Sequence, residues 1–243
     1  MSIVIPTYNA GATLESCLES LARQTTLHGV EVVLQDGNST DATRDIVQAY
    51  ERLPIKFQQT ADRGVYDAMN LAIRRSAGRW LLFLGADDEL HDETVLAELL
   101  PRLACSDAHL LHAQAWLKNA GVMHGAPTTL QALLNAGNLC HQSVCYRRDL
   151  FERLGGYQCR YPIWADWEFN IRCFRWPDLQ VEFWSRPLTV YNDRAGLSRN
   201  EDPVFRNELP VCIHGDAAKA LTLLRRSWSY RLGHRLFGWL DRS

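Results

Sequence analysis

Trp80-Leu81-Leu82-Phe83-Leu84-Gly85-Ala86-Asp87-Asp88-Glu89 organises the reading of the chain. An unbroken run of large apolar residues ends at a glycine, the pattern of a strand buried on both faces. Strands of that kind belong to parallel sheets covered by helices, and this one delivers two adjacent carboxylates to its carboxyl end. Neighbouring carboxylates repel, which raises the pKa of one of them unless a cation neutralises the pair. A hard divalent ion such as Mg²⁺ or Mn²⁺, shared with phosphate oxygens, is the natural solution. Taken alone, the pair reads better as a solvated acidic turn ahead of a helix near Glu93.

Working outward, Ser2-Ile3-Val4-Ile5-Pro6 is a β-branched run stopped by proline, and Glu31-Val32-Val33-Leu34-Gln35 and Ile55-Lys56-Phe57-Gln58 are two further strands. Between them, Leu14, Cys17, Leu18 and Leu21 recur at helical spacing, with Thr13 or Asn9 as cap. Residues 41–52 and 66–76 read as helices as well. This alternation predicts an α/β fold with a mostly parallel central sheet flanked by helices. Ligands of such sheets bind beyond the carboxyl ends of the strands, where Asn9, Asp36 and the Asp87-Asp88 pair all fall. From about residue 105 the alternation weakens. Residues 118–137 read as a long irregular loop or acceptor region, a helix is expected over 164–174, and strands over 181–183 and 188–191.

Composition narrows the function. A net charge of -2 excludes the basic field that a nucleic-acid binder needs. The 7 cysteines form no CxxC pair, which suits reduced thiols, and Cys105, His109 and His112 lack the further ligands of a zinc site. Strand-like sequence from Ser2 leaves no room for a signal peptide, and no apolar run approaches the ~20 residues that span a bilayer. The expected location is the cytoplasm, with peripheral docking on the inner membrane as the exception. That exception rests on the tail. Leu221, Leu224, Trp228, Leu232, Leu236 and Trp239 form an apolar stripe beside Lys219, Arg225, Arg226, Arg231, Arg235 and Arg242. The stripe suits a membrane interface and suits equally packing on its own domain or on a second copy of the chain. The expected division is a domain over 1–205, with halves 1–104 and 105–205, and a basic amphipathic tail over 206–243.

Two more polar clusters carry chemistry. In Asp36-Gly37-Asn38-Ser39-Thr40-Asp41, Asp36 is placed to accept hydrogen bonds from a base or ribose, and Gly37 permits close backbone approach. The bland alternative is a strand-to-helix turn. In Asp62-Arg63-Gly64-Val65-Tyr66-Asp67-Ala68-Met69-Asn70, Asp67 and Asn70 sit one turn apart, and Arg63 suits a phosphate or an internal carboxylate.

These clusters, in this order and together with Pro6-Thr7-Tyr8-Asn9, resemble the inverting family-2 glycosyltransferases of the GT-A fold, from Ser2 to about Ser198, and among them bacterial exopolysaccharide and colanic-acid enzymes. The resemblance implies a nucleoside diphosphate sugar as donor, with uridine the habitual base, and a glycan or lipid-linked acceptor hydroxyl. Thr7, Tyr8 and Asp36 then stand at the nucleobase, with Pro6, Asn9, Arg63, Asp67 and Asn70 as further donor contacts. Asp87 and Asp88 match the region holding the ribose and the metal, although Gly85 stands where many relatives carry the first aspartate. Trp164-Ala165-Asp166-Trp167-Glu168-Phe169-Asn170 matches the start of the helix bearing the catalytic base, so Asp166 is the expected base and Glu168 its reserve. Trp164 and Trp167 would desolvate it. His141 is expected at the acceptor or pyrophosphate, with a core histidine as the alternative, and Arg172 is expected either to face the site or to form a salt bridge. Arg194 or Arg199 in the loop 192–198 would neutralise the departing diphosphate.

Two rivals lose on motif. Tyr8-Asn9-Ala10-Gly11 supplies no dinucleotide glycine fingerprint, and no glycine-rich, Lys/Arg-bearing phosphate loop follows the first strand as nucleotidyltransferases need. A non-catalytic sugar-nucleotide-binding or scaffold protein of the same fold is the remaining alternative.

Overall fold

The structure is a computed structural model and describes residues 1–135, 137–194 and 200–214, with side chains to residue 208. In the first half, strands β1 (Ser2–Thr7), β2 (Glu31–Asp36), β3 (Ile55–Gln59) and β4 (Trp80–Phe83) alternate with helices α1 (Leu14–Ala22), α2 (Thr43–Ala49) and α3 (Val65–Arg75). The short β5 (Glu89–Leu90) and helix α4 (Val95–Cys105) follow. Then come β6 (Leu110–Leu117), β7 (Val122–His124), α5 (Leu130–Asn135), a single 3-10 turn (His141–Ser143), β8 (Val144–Arg147), α6 (Arg148–Leu154), α7 (Ala165–Arg175) and β9 (Val181–Tyr191).

Among the described residues the strands make one sheet in the order β3-β2-β1-β4-β8-β6-β9-β5, with β7 paired on β6. From β3 to β4 every pairing is parallel, which is the doubly wound half that the sequence predicts. Beyond β4 the sheet is mixed: β8 runs antiparallel to both β4 and β6, whereas β6 and β9 are parallel. The register sets Thr7 beside Asp36 and Val4 beside Phe83, so the ends of β1, β2 and β4 open on one edge.

Period-two alternation sorts β4 between two cores. Trp80 and Leu82 join the cluster built with Leu14, Leu18 and Leu21 of α1 and Leu96, Leu99 and Leu103 of α4. Phe83 turns the other way, into an aromatic cluster with His141, Tyr146, Phe151 and Tyr157.

The second half corrects two expectations. Residues 118–137 are not one irregular loop: β7 and α5 lie within them. The two strands expected over 181–191 are a single strand, β9, whose pairing with β6 slips around Gln114, opposite Pro187. Proline has no amide hydrogen to give the ladder, so the irregularity falls where the sequence suggested a break.

A compact unit covers Met1–Asn200 and a second begins at Glu201. In the second, Asp202 accepts the Phe205 amide at 3.0 Å at the start of α8 (Pro203–His214). The basic stripe over 219–243 and Arg199 lie outside the described residues. No helix among the described residues is long and apolar enough to cross a membrane.

Candidate active site

A cleft of about 690 Å³ opens at the carboxyl ends of β1 and β4. Pro6, Tyr8 and Asn9 line it from β1, Gly85, Ala86 and Asp87 from β4, Tyr66 and Met69 from α3, and Trp164, Asp166 and Trp167 from the start of α7. His141 and Gln142 close another wall. Eight of the residues expected from sequence thus share one cavity: Pro6, Tyr8, Asn9, Asp87, His141, Trp164, Asp166 and Trp167.

The loops after β1 and β2 lock each other. The Asn9 amide donates to Ser39 Oγ at 2.7 Å, and Asn9 Oδ1 accepts the Thr40 amide at 2.9 Å. Asn9 holds φ at 48° to do so, a left-handed conformation that asparagine tolerates better than most residues. Beneath them Asp36 is fully buried. It accepts hydrogen bonds from Thr7 Oγ1 at 2.9 Å and from the hydroxyl and amide of Ser39 at 2.5 and 2.8 Å. Thr7 and Asp36 are therefore buried and satisfied within the fold and do not line the cleft, whereas the adjoining Tyr8 does and is 69% exposed. Gly37 earns its place by contact: a Cβ there would lie 2.7 Å from Asp62 Oδ2.

Asp67, in the first turn of α3, is bound by the Arg63 guanidinium and backbone amide, each contact at 3.1 Å. The Arg63 side chain holds the Asp67 carboxyl below its usual range. Asn70 is turned away from the cleft, its amide clamping the backbone of Tyr157 at 2.9 Å in both directions. Glu168 and Arg172 are likewise withdrawn, because a residue two places beyond Asp166 points from another helix face. Arg172 pairs with Glu168 at 2.8 Å and donates to the carbonyls of Leu154, Gly155 and Gly156, fastening α7 to the end of α6.

The β4 carboxylates differ from these satisfied groups. Asp88 is 1% exposed; its Oδ1 accepts the Asn192 amide at 2.8 Å, while its Oδ2 has no hydrogen-bond partner among the described residues. Burial pushes the Asp88 carboxyl up to about 7, and the charge of Asp87 adds to the rise. Asp87 is also raised, by burial. Both carboxylates fold back over Gly85, where a Cβ would come within 2.4 Å of Asp88 Oδ2 and 3.0 Å of Asp87 Oδ1. A glycine in place of a first aspartate is what lets them pack so. Among the described residues no three His, Cys, Asp or Glu converge. A paired carboxylate with an orphaned buried oxygen still fits a hard divalent cation that takes its other ligands from phosphate and water.

Asp166 sits 8% exposed in the first turn of α7. Tyr66 Oη donates to its Oδ1 at 2.6 Å and Asn138 Nδ2 to its Oδ2 at 2.6 Å. Trp164 and Trp167 stand edge to face at 5.4 Å, and Trp167 is fixed by a 2.9 Å hydrogen bond from Nε1 to the Leu133 carbonyl. His141 reconciles both of its readings. It lines the cleft, yet it is 9% exposed, stacked on Phe83, and bonded through Nε2 to Tyr157 Oη at 2.9 Å. Burial lowers its pKa.

Sequence reasoning missed Tyr66, Asn138 and Asn192. Tyr66 reads as one more apolar residue of a helix start, and Asn138 adjoins a stretch with no periodicity. Asn192 follows β9 and donates its side-chain amide to Asp87 Oδ2 at 3.4 Å, while Asp193 beside it takes the amides of Asn119 and Ala120 at 2.7 and 3.1 Å. The end of β9 thereby ties the β6–β7 turn to the carboxylate pair.

The model of "Glycosyl transferase family 2" matches residues 2–155. The PGL/p-HBAD biosynthesis glycosyltransferase of Mycobacterium bovis (strain BCG / Pasteur 1173P2) is 40% identical over 232 residues, covering 93% of this chain and 90% of its own. Validoxylamine A glucosyltransferase of Streptomyces hygroscopicus subsp. jinggangensis is 49% identical over 88 residues, 35% of this chain and 21% of its own. Among solved structures, S. aureus TarS 1-349 in complex with UDP-GlcNAc superposes with a TM-score of 0.72 at 21% identity, over 87% of this chain and 66% of that one. The mannosyltransferase PcManGT of Pyrobaculum calidifontis, in complex with GDP-Man and Mn²⁺, gives 0.64 at 18% identity, over 97% and 82%.

Proposed function

The chain belongs to glycosyl transferase family 2 and has the GT-A fold, and from that premise we propose that it is a metal-dependent inverting enzyme moving a sugar from a nucleoside diphosphate to an acceptor hydroxyl. One observation carries the reading: Asp87 and Asp166, from opposite halves of the chain, line the same cleft. One centre suits the diphosphate and the other suits the hydroxyl that attacks. Pro6, Tyr8 and Asn9 would frame the nucleobase beside the buried Thr7–Asp36 pair, and the Arg63–Asp67 pair would stand at the nucleoside. Trp164 and Trp167 would offer apolar faces to the acceptor sugar.

Asp87 and Asp88 would hold a divalent cation, which when bound supplies positive charge against the diphosphate. Asp166 takes the proton of the acceptor hydroxyl as that oxygen bonds to the anomeric carbon. The bond from that carbon to the diphosphate oxygen breaks, its electron pair leaves with the diphosphate, and the configuration inverts. His141 contributes by fixing the wall behind the reacting centre. Uridine is the base proposed first, since TarS was solved with UDP-GlcNAc, and PcManGT with GDP-Man makes guanosine the second to test. The acceptor class proposed is a glycan or lipid-linked hydroxyl. Deletion of residues 219–243 is expected to reduce liposome co-sedimentation if the tail brings the enzyme to such an acceptor, whereas an unaltered result assigns the stripe to packing.

The deciding experiment is a screen of uridine, guanosine and thymidine diphosphate sugars, with and without Mn²⁺, read as nucleoside diphosphate release. Metal-dependent release with one donor supports the reading, and an anomer opposite to that of the donor supports inversion. Tight donor binding with no turnover would favour the scaffold alternative.

A further inference from the structure

Asp166 is the terminus of a polarised chain of hydrogen bonds that runs from the cleft into the core. Tyr146 Oη donates to Asn170 Oδ1 at 2.8 Å, Asn170 Nδ2 to Asn138 Oδ1 at 2.7 Å, and Asn138 Nδ2 to Asp166 Oδ2 at 2.6 Å. Each amide spends its acceptor on the deeper residue, so only its hydrogens face the carboxylate. Tyr146 and Asn170 are fully buried and Asn138 is half-buried at the cleft wall, and side chains bonded in series in this way have little freedom to reorient. On the opposite oxygen the arrangement differs. Tyr66 Oη lies 2.6 Å from Asp166 Oδ1 and also 2.6 Å from the carbonyl of Ile163. One hydroxyl hydrogen serves one of the two at a time. Burial, with the charge of Asp166 adding to it, keeps the Tyr66 phenol protonated and hence able to donate.

We propose that Tyr66 is a positioning residue for the base, a hydroxyl rotor that engages Asp166 Oδ1 while the carboxylate is charged and turns to Ile163 once it has taken a proton. Asn138 holds Oδ2 throughout, so the carboxylate keeps one orientation. When the acceptor's proton arrives on Oδ1, the Tyr66 hydrogen moves to the Ile163 carbonyl and the Tyr66 oxygen accepts the new O–H. No heavy atom has to shift, and no charge remains on Tyr66. The inference rests on Asp166 being the base.

The test is a cycle of Tyr66→Phe, Asp166→Asn and the double variant in steady-state transfer. Tyr66→Phe retains the ring that packs on Tyr157 at 5.4 Å. It is expected to lower kcat by about 10- to 100-fold while leaving the KM of the donor within about twofold. In the Asp166→Asn background the same change is expected to alter the residual rate by less than about twofold, because the partner it serves is gone. A wild-type kcat for Tyr66→Phe beside an inactive Asp166→Asn would overturn the inference alone, as would an equal loss in both backgrounds. Asp166→Asn at wild-type speed would remove the base reading and this inference with it. Should Tyr66→Phe lower the melting temperature by more than about 5 °C, the cycle is run at a temperature at which all four proteins stay folded by circular dichroism, with the same outcomes for and against.

Discussion

Two carboxylate centres meet at one cleft, lined by Asp87 beside the buried Asp88 and by Asp166, and they are furnished in opposite ways. At the end of β4, Asp88 is left an oxygen short of partners among the described residues and its proton is held up to about 7 by burial. At the start of α7, Asp166 has a short hydrogen bond on each oxygen. A buried carboxylate oxygen left without a donor suits the cation proposed above, whereas a carboxylate held on both oxygens suits the proposed acceptance of a substrate proton. Asp36 and Asp67 differ from both in that neither lines the cleft. Their oxygens are bonded within the fold, by Thr7 and Ser39 in one case and by Arg63 in the other.

Four substitutions break or sharpen that contrast. The largest effect is expected from Asp166→Asn, with kcat down by about 10³-fold or more and donor affinity within a few-fold; full activity would end its role as base. Next, ~1 mM Mn²⁺ with nucleoside diphosphate should raise the melting temperature of the wild type by about 3 °C and that of Asp88→Ala by none. An equal rise in both would move the cation elsewhere. Gly85→Ala puts a Cβ 2.4 Å from Asp88 Oδ2 and forces that carboxylate aside. A loss of about fivefold in metal-dependent donor affinity is expected, with the Asp166 chemistry intact once donor is saturating.

The smallest effect on activity is expected from Glu31→Gln, at the amino end of the sheet. Burial would raise the Glu31 carboxyl, but hydrogen bonds from Lys56, Ser2 and the Ala77 amide outweigh it and hold the group at about 2 against an ordinary 4.5. The stability it contributes is present above pH 4.5 and lost as pH falls from there toward 2. Discounted for solvent screening of this partly exposed group, Glu31→Gln should therefore cost about 1 kcal/mol at pH 7, a gap that closes across that window, with kcat unchanged. Thermal unfolding against pH checks it.

The same division governs what was legible in the sequence. β1, β2 and β4 could be placed because β-branched or leucine-rich runs end at proline, aspartate or glycine, and each contacts its neighbour in the parallel order that the alternation implies. β6 and β8 could not. The run Leu110–Leu117 is interrupted by His112 and Gln114, and the four residues of β8 pair antiparallel with strands far away in sequence, which no local period encodes. The carboxylates of the cleft were visible through their motifs. Their environments were not, since Tyr66 reaches Asp166 across 100 residues and Asn192 reaches Asp88 across 104. For Asn70 the motif named the right helix but not the face, and its side chain turned to the backbone of the loop after α6, while Arg172 took the salt bridge that was one of its two expected fates.

The division of labour between the two centres is tested most directly by calorimetric titration of the donor nucleotide sugar, in the presence of Mn²⁺, into Asp166→Asn and Asp88→Ala side by side. The expected result is wild-type affinity for Asp166→Asn and a loss of about tenfold or more for Asp88→Ala. Donor binding lost in Asp166→Asn, or retained in Asp88→Ala, would contradict it.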